Sequence, residues 1–167
     1  MLCFLSCSAQ QLDYSPCYYN PSYNNDNGGQ IICDGQVASE ALDAFRRNKN
    51  NSNIDALYLW NMNNMTASIL TEIMDIVAAT ASEKVWRIEL ENLQKVKKVP
   101  RALKQFNNLQ HFHFKRIGGL RVLPAGSMAI SSDNLFHLYC DNNPDLNIIK
   151  PDAFQGRTNN NLSNPIF

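Results

Sequence analysis

The sequence predicts an α/β solenoid, with short parallel strands stacked into one curved sheet and a return segment after each strand. Three observations predict it. First, one spacing recurs: apolar, two residues, apolar, one residue, apolar. It appears as Ile54-x-x-Leu57-x-Leu59, Val85-x-x-Ile88-x-Leu90, Leu109-x-x-Phe112-x-Phe114 and Leu135-x-x-Leu138-x-Cys140, and a further copy begins at Leu162. Second, the starts at Ile54, Val85, Leu109, Leu135 and Leu162 lie 31, 24, 26 and 27 residues apart, close to a repeat period of about 20–29 residues. Third, residues 68–81 in the longest unit carry Ile69, Ile73, Ile76 and Val77 at helical spacing among good helix formers.

Each unit follows from its spacing. Along a strand, side chains alternate between faces, so positions four and six point inward and three, five and seven outward. Leu57, Leu59, Ile88, Leu90, Phe112, Phe114, Leu138 and Cys140 are therefore expected to share one buried column. The rest of each unit returns along the other side as a helix, a 3₁₀ turn or an extended segment. The later returns are short: Val99-Pro100-x-Ala102-Leu103-x-x-Phe106, Leu123-Pro124-Ala125-Gly126-x-Met128 and Ile149-Lys150-Pro151-Asp152-Ala153-Phe154-x-Gly156. Gly118-Gly119 reads as a turn between strand and return. One unit cannot bury its own apolar edge, so stacking against neighbours makes the core.

The N-terminal part differs. Residues 1–9 are apolar with small residues at the end, and read as the tail of a secretory signal with Cys7-Ser8-Ala9 as its cleavage site. Cys3 and Cys7 leave with it. Cys17 and Cys33 then flank residues 18–30, which are rich in Asn, Tyr and Gly and read as turn material. A disulfide there compensates for a missing core, and Cys17 with Cys33 is the simplest pairing. Cys140 lies inside an apolar pattern and reads as a buried thiol. Three Asn-x-Ser/Thr sequons, at Asn50, Asn64 and Asn161, favour the extracellular route together with the signal and the disulfide.

The repeat resembles that of the leucine-rich-repeat family over residues 31–167. The sharpest match is Leu135-Phe-His-Leu-Tyr-Cys-Asp-Asn-Asn143 followed by Asn147-Ile-Ile-Lys-Pro-Asp-Ala-Phe-Gln-Gly156, which is nearly the extracellular form of the repeat. The resemblance implies a right-handed solenoid with a parallel sheet on its concave face and short helices or 3₁₀ turns on its convex side. It makes residues 10–50 a cysteine-bearing N-terminal cap with Ile31-Ile32-Cys33 as its edge strand, and residues 51–167 about four repeats plus the start of a fifth. The chain departs from the family in three ways. The asparagine usual at position nine is present only as Asn143, where other units have Met62, Leu93 and Ile117. The cap carries two cysteines instead of four. No C-terminal cysteine cap follows, so a fragment of a longer protein is expected. A narrower resemblance is to secreted arthropod proteins similar to the non-catalytic subunit of a shrimp luciferase.

In such a solenoid the outward strand residues form the binding surface. They are Ala56, Tyr58 and Trp60; Arg87, Glu89 and Glu91; His111, His113 and Lys115; His137, Tyr139 and Asp141. Aromatics and arginine are the residues most enriched at binding hot spots. The function expected is an extracellular module holding a protein or peptide ligand on this face. The alternatives are a non-catalytic subunit of a secreted enzyme complex, as the narrower resemblance implies, or an ectodomain fragment of an adhesion or receptor protein.

Other classes fare worse. Fifteen basic and fifteen acidic residues cancel, which argues against nucleic acid as the main partner. No apolar run reaches the roughly 18 residues of a membrane span. No G-x-S-x-G, H-E-x-x-H or phosphate loop is present, so no enzyme is expected. All three histidines fall on the outward face, with His111 and His137 in one column about 4.8 Å apart. With Glu89 or Asp141 they could share a metal, or make binding pH-dependent. The plainer reading is a polar outward face, so neither metal nor cofactor is expected. Glu89 and Glu91 read as solvated surface, and the run Lys95, Lys97, Lys98, Arg101 and Lys104 as a solvated edge.

Overall fold

The alternation seen in the sequence becomes a sheet whose inward positions are sealed. The computed structural model describes residues 12–21, 28–130, 132 and 134–154. The leader expected at 1–9, the sequon at Asn161 and the fifth copy beginning at Leu162 lie outside these residues. The strands are β1 (Tyr18–Pro21), β2 (Gly29–Asp34), β3 (Ile54–Trp60), β4 (Arg87–Glu91), β5 (His111–Lys115), β6 (Val122–Leu123), β7 (His137–Tyr139) and β8 (Ile148–Ile149). The main sheet runs β1-β2-β3-β4-β5-β7. Only β1 and β2 pair antiparallel; every other pair in it is parallel. The fold is thus mixed α/β with a mostly parallel sheet.

Parallel neighbours need crossover connections, and the segments between strands supply them. Helix α1 (Ala38–Arg47) links β2 to β3, and helix α2 (Ala67–Ala81) links β3 to β4. A 3₁₀ turn (Arg101–Gln105) links β4 to β5. The later returns open with the two-residue strands β6 and β8, which pair in a small second sheet, and continue into turns. Helix α2 starts where Thr66 accepts a side-chain hydrogen bond from the Ile69 backbone N–H at 3.3 Å, satisfying an otherwise orphaned donor. It buries Leu70, Ile73, Met74, Val77, Ala78 and Ala81, the i, i+3, i+4 stripe of an amphipathic helix. The stripe expected from Ile69 and Ile76 is shifted by one residue, and both are only partly buried.

The core lies between the sheet and these returns. Leu57, Leu59, Ile88, Leu90, Phe112, Phe114, Leu138 and Cys140 all belong to it. Register places Leu57, Ile88, Phe112 and Leu138 in one row and Leu59, Leu90 and Phe114 in the next. Ile31 and Cys33 continue the two rows on β2. Complete burial of each such side chain contributes about 1.5–3 kcal/mol.

Two expectations change at the N-terminal end. Residues 18–30 are not all turn: Tyr18–Pro21 form β1, and Gly29 and Gln30 open β2. Ile31-Ile32-Cys33 is therefore not an edge strand, because β1 covers it. The Cys17–Cys33 disulfide is present and ties the approach to β1 to the C-terminal end of β2. Gly118 and Gly119 do form a turn, with Gly119 at φ +82°.

One regularity escaped the sequence reading. Gly35, Asn61, Asn92, Arg116 and Asn142 occupy the left-handed region, with φ of 70°, 55°, 54°, 50° and 54°. Gly35, Asn61, Asn92 and Arg116 directly follow β2, β3, β4 and β5, and Asn142 lies in the segment after β7. Glycine and asparagine adopt this conformation most readily, which explains four of the five. The turn lets backbone pairing continue past the strands: Gly35 N–H donates to Trp60 O, Asn61 to Glu91 O and Asn92 to Lys115 O, each at 3.0 Å. A polar ladder follows it, Asn92 Nδ2 donating to Asn61 Oδ1 at 2.9 Å and Asn61 Nδ2 to Asp34 Oδ1 at 2.6 Å.

Candidate binding face

The outward positions form columns as regular as the buried ones. Ala56, Arg87, His111 and His137 share one column, and Tyr58, Glu89, His113 and Tyr139 the next. Trp60, Glu91 and Lys115 form the third, where Lys115 Nζ stands 3.9 Å from Asp141 Oδ2. Tyr58, Trp60, Arg87, Glu91, His111, His113, Lys115, His137, Tyr139 and Asp141 are all half-buried. Such side chains keep an exposed edge while their neighbours hold them in place.

Two positions differ from expectation. Ala56 is fully buried without joining the core cluster. Glu89 is not solvated surface; its side chain is only 9 % exposed. Arg87 satisfies it, donating from Nε to Glu89 Oε1 at 2.8 Å with a second contact from the guanidinium Nη2. His113 Nδ1 stands 3.4 Å from the same oxygen. A buried carboxylate is costly unless paired in this way.

Ring contacts run across the whole face. Trp60 meets Tyr58 edge-on at 5.2 Å between centroids. The Arg87 guanidinium lies 5.9 Å from the Tyr58 ring centroid and 5.9 Å from that of Trp86. Trp86 meets His111 at 5.4 Å, and His111 stacks on His137 at 4.5 Å. His137 stacks on Tyr139 at 6.1 Å, and Tyr139 meets His113 at 4.5 Å. The Glu89 contact to His113 and Arg87 closes a circuit of seven side chains around the middle of the sheet. Trp86 is the member that the sequence reading missed. It precedes β4 by one residue and falls outside the odd-position rule, although its proximity to the repeat start at Val85 was a usable signal.

The electrostatics follow from this packing. Burial, then the neighbouring His137, lowers the His111 pKa below its ordinary value. Burial also lowers that of His113, outweighing the attraction of Glu89. Burial raises the Tyr58 hydroxyl above its usual range. These shifts favour the neutral forms of His111, His113 and Tyr58 around the Arg87–Glu89 pair. Two buried polar atoms on it have no hydrogen-bond partner: Trp60 Nε1 and Asp141 Oδ1.

Arg87 holds Glu89 as its counter-ion. Among the described residues no group of three or more His, Cys, Asp and Glu side chains is placed to hold a metal ion. Among them, too, no helix is long and apolar enough to cross a membrane. Asn50 and Asn64 are exposed. Comparison with protein-family models, curated proteins and solved structures found no match to this chain.

Proposed function

We propose that this chain is an extracellular leucine-rich-repeat binding module, and not an enzyme, whose outward strand face holds a protein or peptide. The observation that carries the reading is the continuous row from Trp60 to Tyr139. It combines tryptophan, tyrosine, histidine and arginine, half-buried and mutually braced. Braced aromatics lose little conformational entropy on binding, which is why such residues dominate hot spots.

The repeat reading is supported by the strand order, which follows the chain from β2 to β5 and then β7. The left-handed residue that follows each of these strands supports it further. Asn143 behaves as a repeat asparagine would: it donates to Phe114 O at 2.9 Å and Cys140 O at 2.7 Å, and accepts from Ile117 N–H at 2.8 Å. Met62, Leu93 and Ile117, at the equivalent positions, are instead buried apolar side chains. The Cys17–Cys33 disulfide is compatible with secretion, and exposed Asn50 and Asn64 are accessible to glycosylation.

The test is affinity capture from extracellular fluid of the source, with the intact chain and with a Tyr58→Ala, Trp60→Ala, Tyr139→Ala variant as baits. A partner held by the first and lost by the second supports the reading. If that partner is an oxidative enzyme, the module is its supporting subunit. Equal capture by both baits removes the outward face from the account.

A further inference from the structure

The basic residues of the segment after β4 do not form a simple solvated edge. Lys97, Lys98, Arg101 and Lys104 line a cleft of about 710 Å³, and Arg121 joins them from the next return segment. Lys95, from the same run, stays outside the lining. No Asp or Glu lines the cleft. All five cations are exposed, and none makes a salt bridge among the described residues. The chain as a whole is neutral, so this is a local excess of charge. Five like charges around one concavity repel each other, and their joint field concentrates anions there.

The lining explains why the charges converge. Gly119 leaves room for the Lys97 stem, since a Cβ there would stand 3.3 Å from Lys97 Cγ. The Ser127 hydroxyl, also in the lining, is buried and has no hydrogen-bond partner.

We propose that this cleft binds a sulfated polysaccharide. Sulfate groups are permanent anions, and an extended glycan offers several in a row to match five cations. The cleft volume falls in the roughly 300–1,000 Å³ range of small-ligand sites, enough for a short run of sugar units. A bilayer surface is too flat to enter such a concavity. The choice of a sulfated glycan rests on the extracellular reading, with which the disulfide is compatible. The cleft lies on the return segments, so the proposal does not depend on the outward-face reading.

The experiment is fluorescence anisotropy of a labelled heparin oligosaccharide with the full chain. Comparison probes are the desulfated oligosaccharide, phosphatidylserine vesicles and single-stranded DNA of equal charge. The expected result is binding of the sulfated probe in preference to all three. Affinity should fall about tenfold in Lys98→Ser, Lys104→Ser, and measurably in Arg121→Ser, which leaves the 3₁₀ turn untouched. The charge-matched control Lys49→Ser, Lys84→Ser should bind as the wild type does. No binding of the sulfated probe, equal loss in the control, or tighter binding to vesicles or DNA would overturn the proposal.

Discussion

The imidazoles of His111 and His137 stack with centroids 4.5 Å apart and planes 20° apart, because parallel register sets them directly opposite on β5 and β7. A charge on His137 disfavours a proton on His111. Burial, then His137, holds the His111 pKa below its usual 6.5, and burial lowers His113 as well. Folding thus favours the neutral forms, and the unfolded chain takes up protons first. Stability is full above the ordinary histidine value and falls as pH drops from there towards the lower folded values. The melting midpoint should fall more steeply between about pH 7 and pH 5.5 in the wild type than in His111→Gln, His113→Gln. Parallel profiles would remove these histidines from the pH response.

Glu89 and Glu91 sit two residues apart on β4 yet should respond very differently to neutralisation. Glu89 is buried and its charge is matched by Arg87, so Glu89→Gln leaves a guanidinium without its counter-ion. A loss of about 2 kcal/mol is expected from chemical denaturation. Glu91 pairs with an Arg116 whose side chain is 53 % exposed, and Glu91→Gln should cost less than about 0.5 kcal/mol. Similar losses for both would mean that the Arg87 contact does not stabilise the fold.

Much of the fold was legible because burial and period coincide. Leu57, Ile88, Phe112 and Leu138 repeat at one spacing and fill one row, so the sheet order could be read from them. Burial of Glu89 was not legible, since Arg87 on the same strand and His113 opposite it on β5 close over its carboxylate through side-chain conformations that spacing does not encode. Strand β1 was hidden because Tyr18–Pro21 resembles turn composition, and only pairing with β2 makes it a strand. The left-handed series was hidden because Gly35, Asn61, Asn92, Arg116 and Asn142 share a backbone angle, not a side chain. The outward columns were placed correctly, but Trp86 shows that a ring just before a strand can join the face.

That series makes Arg116 the exception among glycine and asparagine. A non-glycine residue pays about 1–2 kcal/mol in this region, and asparagine less. Arg116→Asn should raise stability by about 0.5 kcal/mol despite losing the exposed pair to Glu91. Asn61→Ala should lower it by about 1 kcal/mol, since it also removes the side-chain bonds to Asp34 and Asn92. Thermal denaturation of the two variants decides this, and a destabilised Arg116→Asn would contradict it.

The Cys17–Cys33 bond closes a loop with a sequence separation of 16. Cross-links of this length stabilise by about 3 kcal/mol. The Cys17→Ala, Cys33→Ala variant should lose about that much in chemical denaturation. Unchanged stability would mean that β1 and β2 are held together without it.

The central claim is that the outward strand face, and not the helical side, meets the partner. A photo-reactive benzoylphenylalanine placed at Tyr139 and, separately, at exposed Asp75 on α2 tests it directly in source extracellular fluid. The account predicts a specific adduct from position 139 and none from position 75. Adducts from position 75 alone, or equally from both, would contradict it.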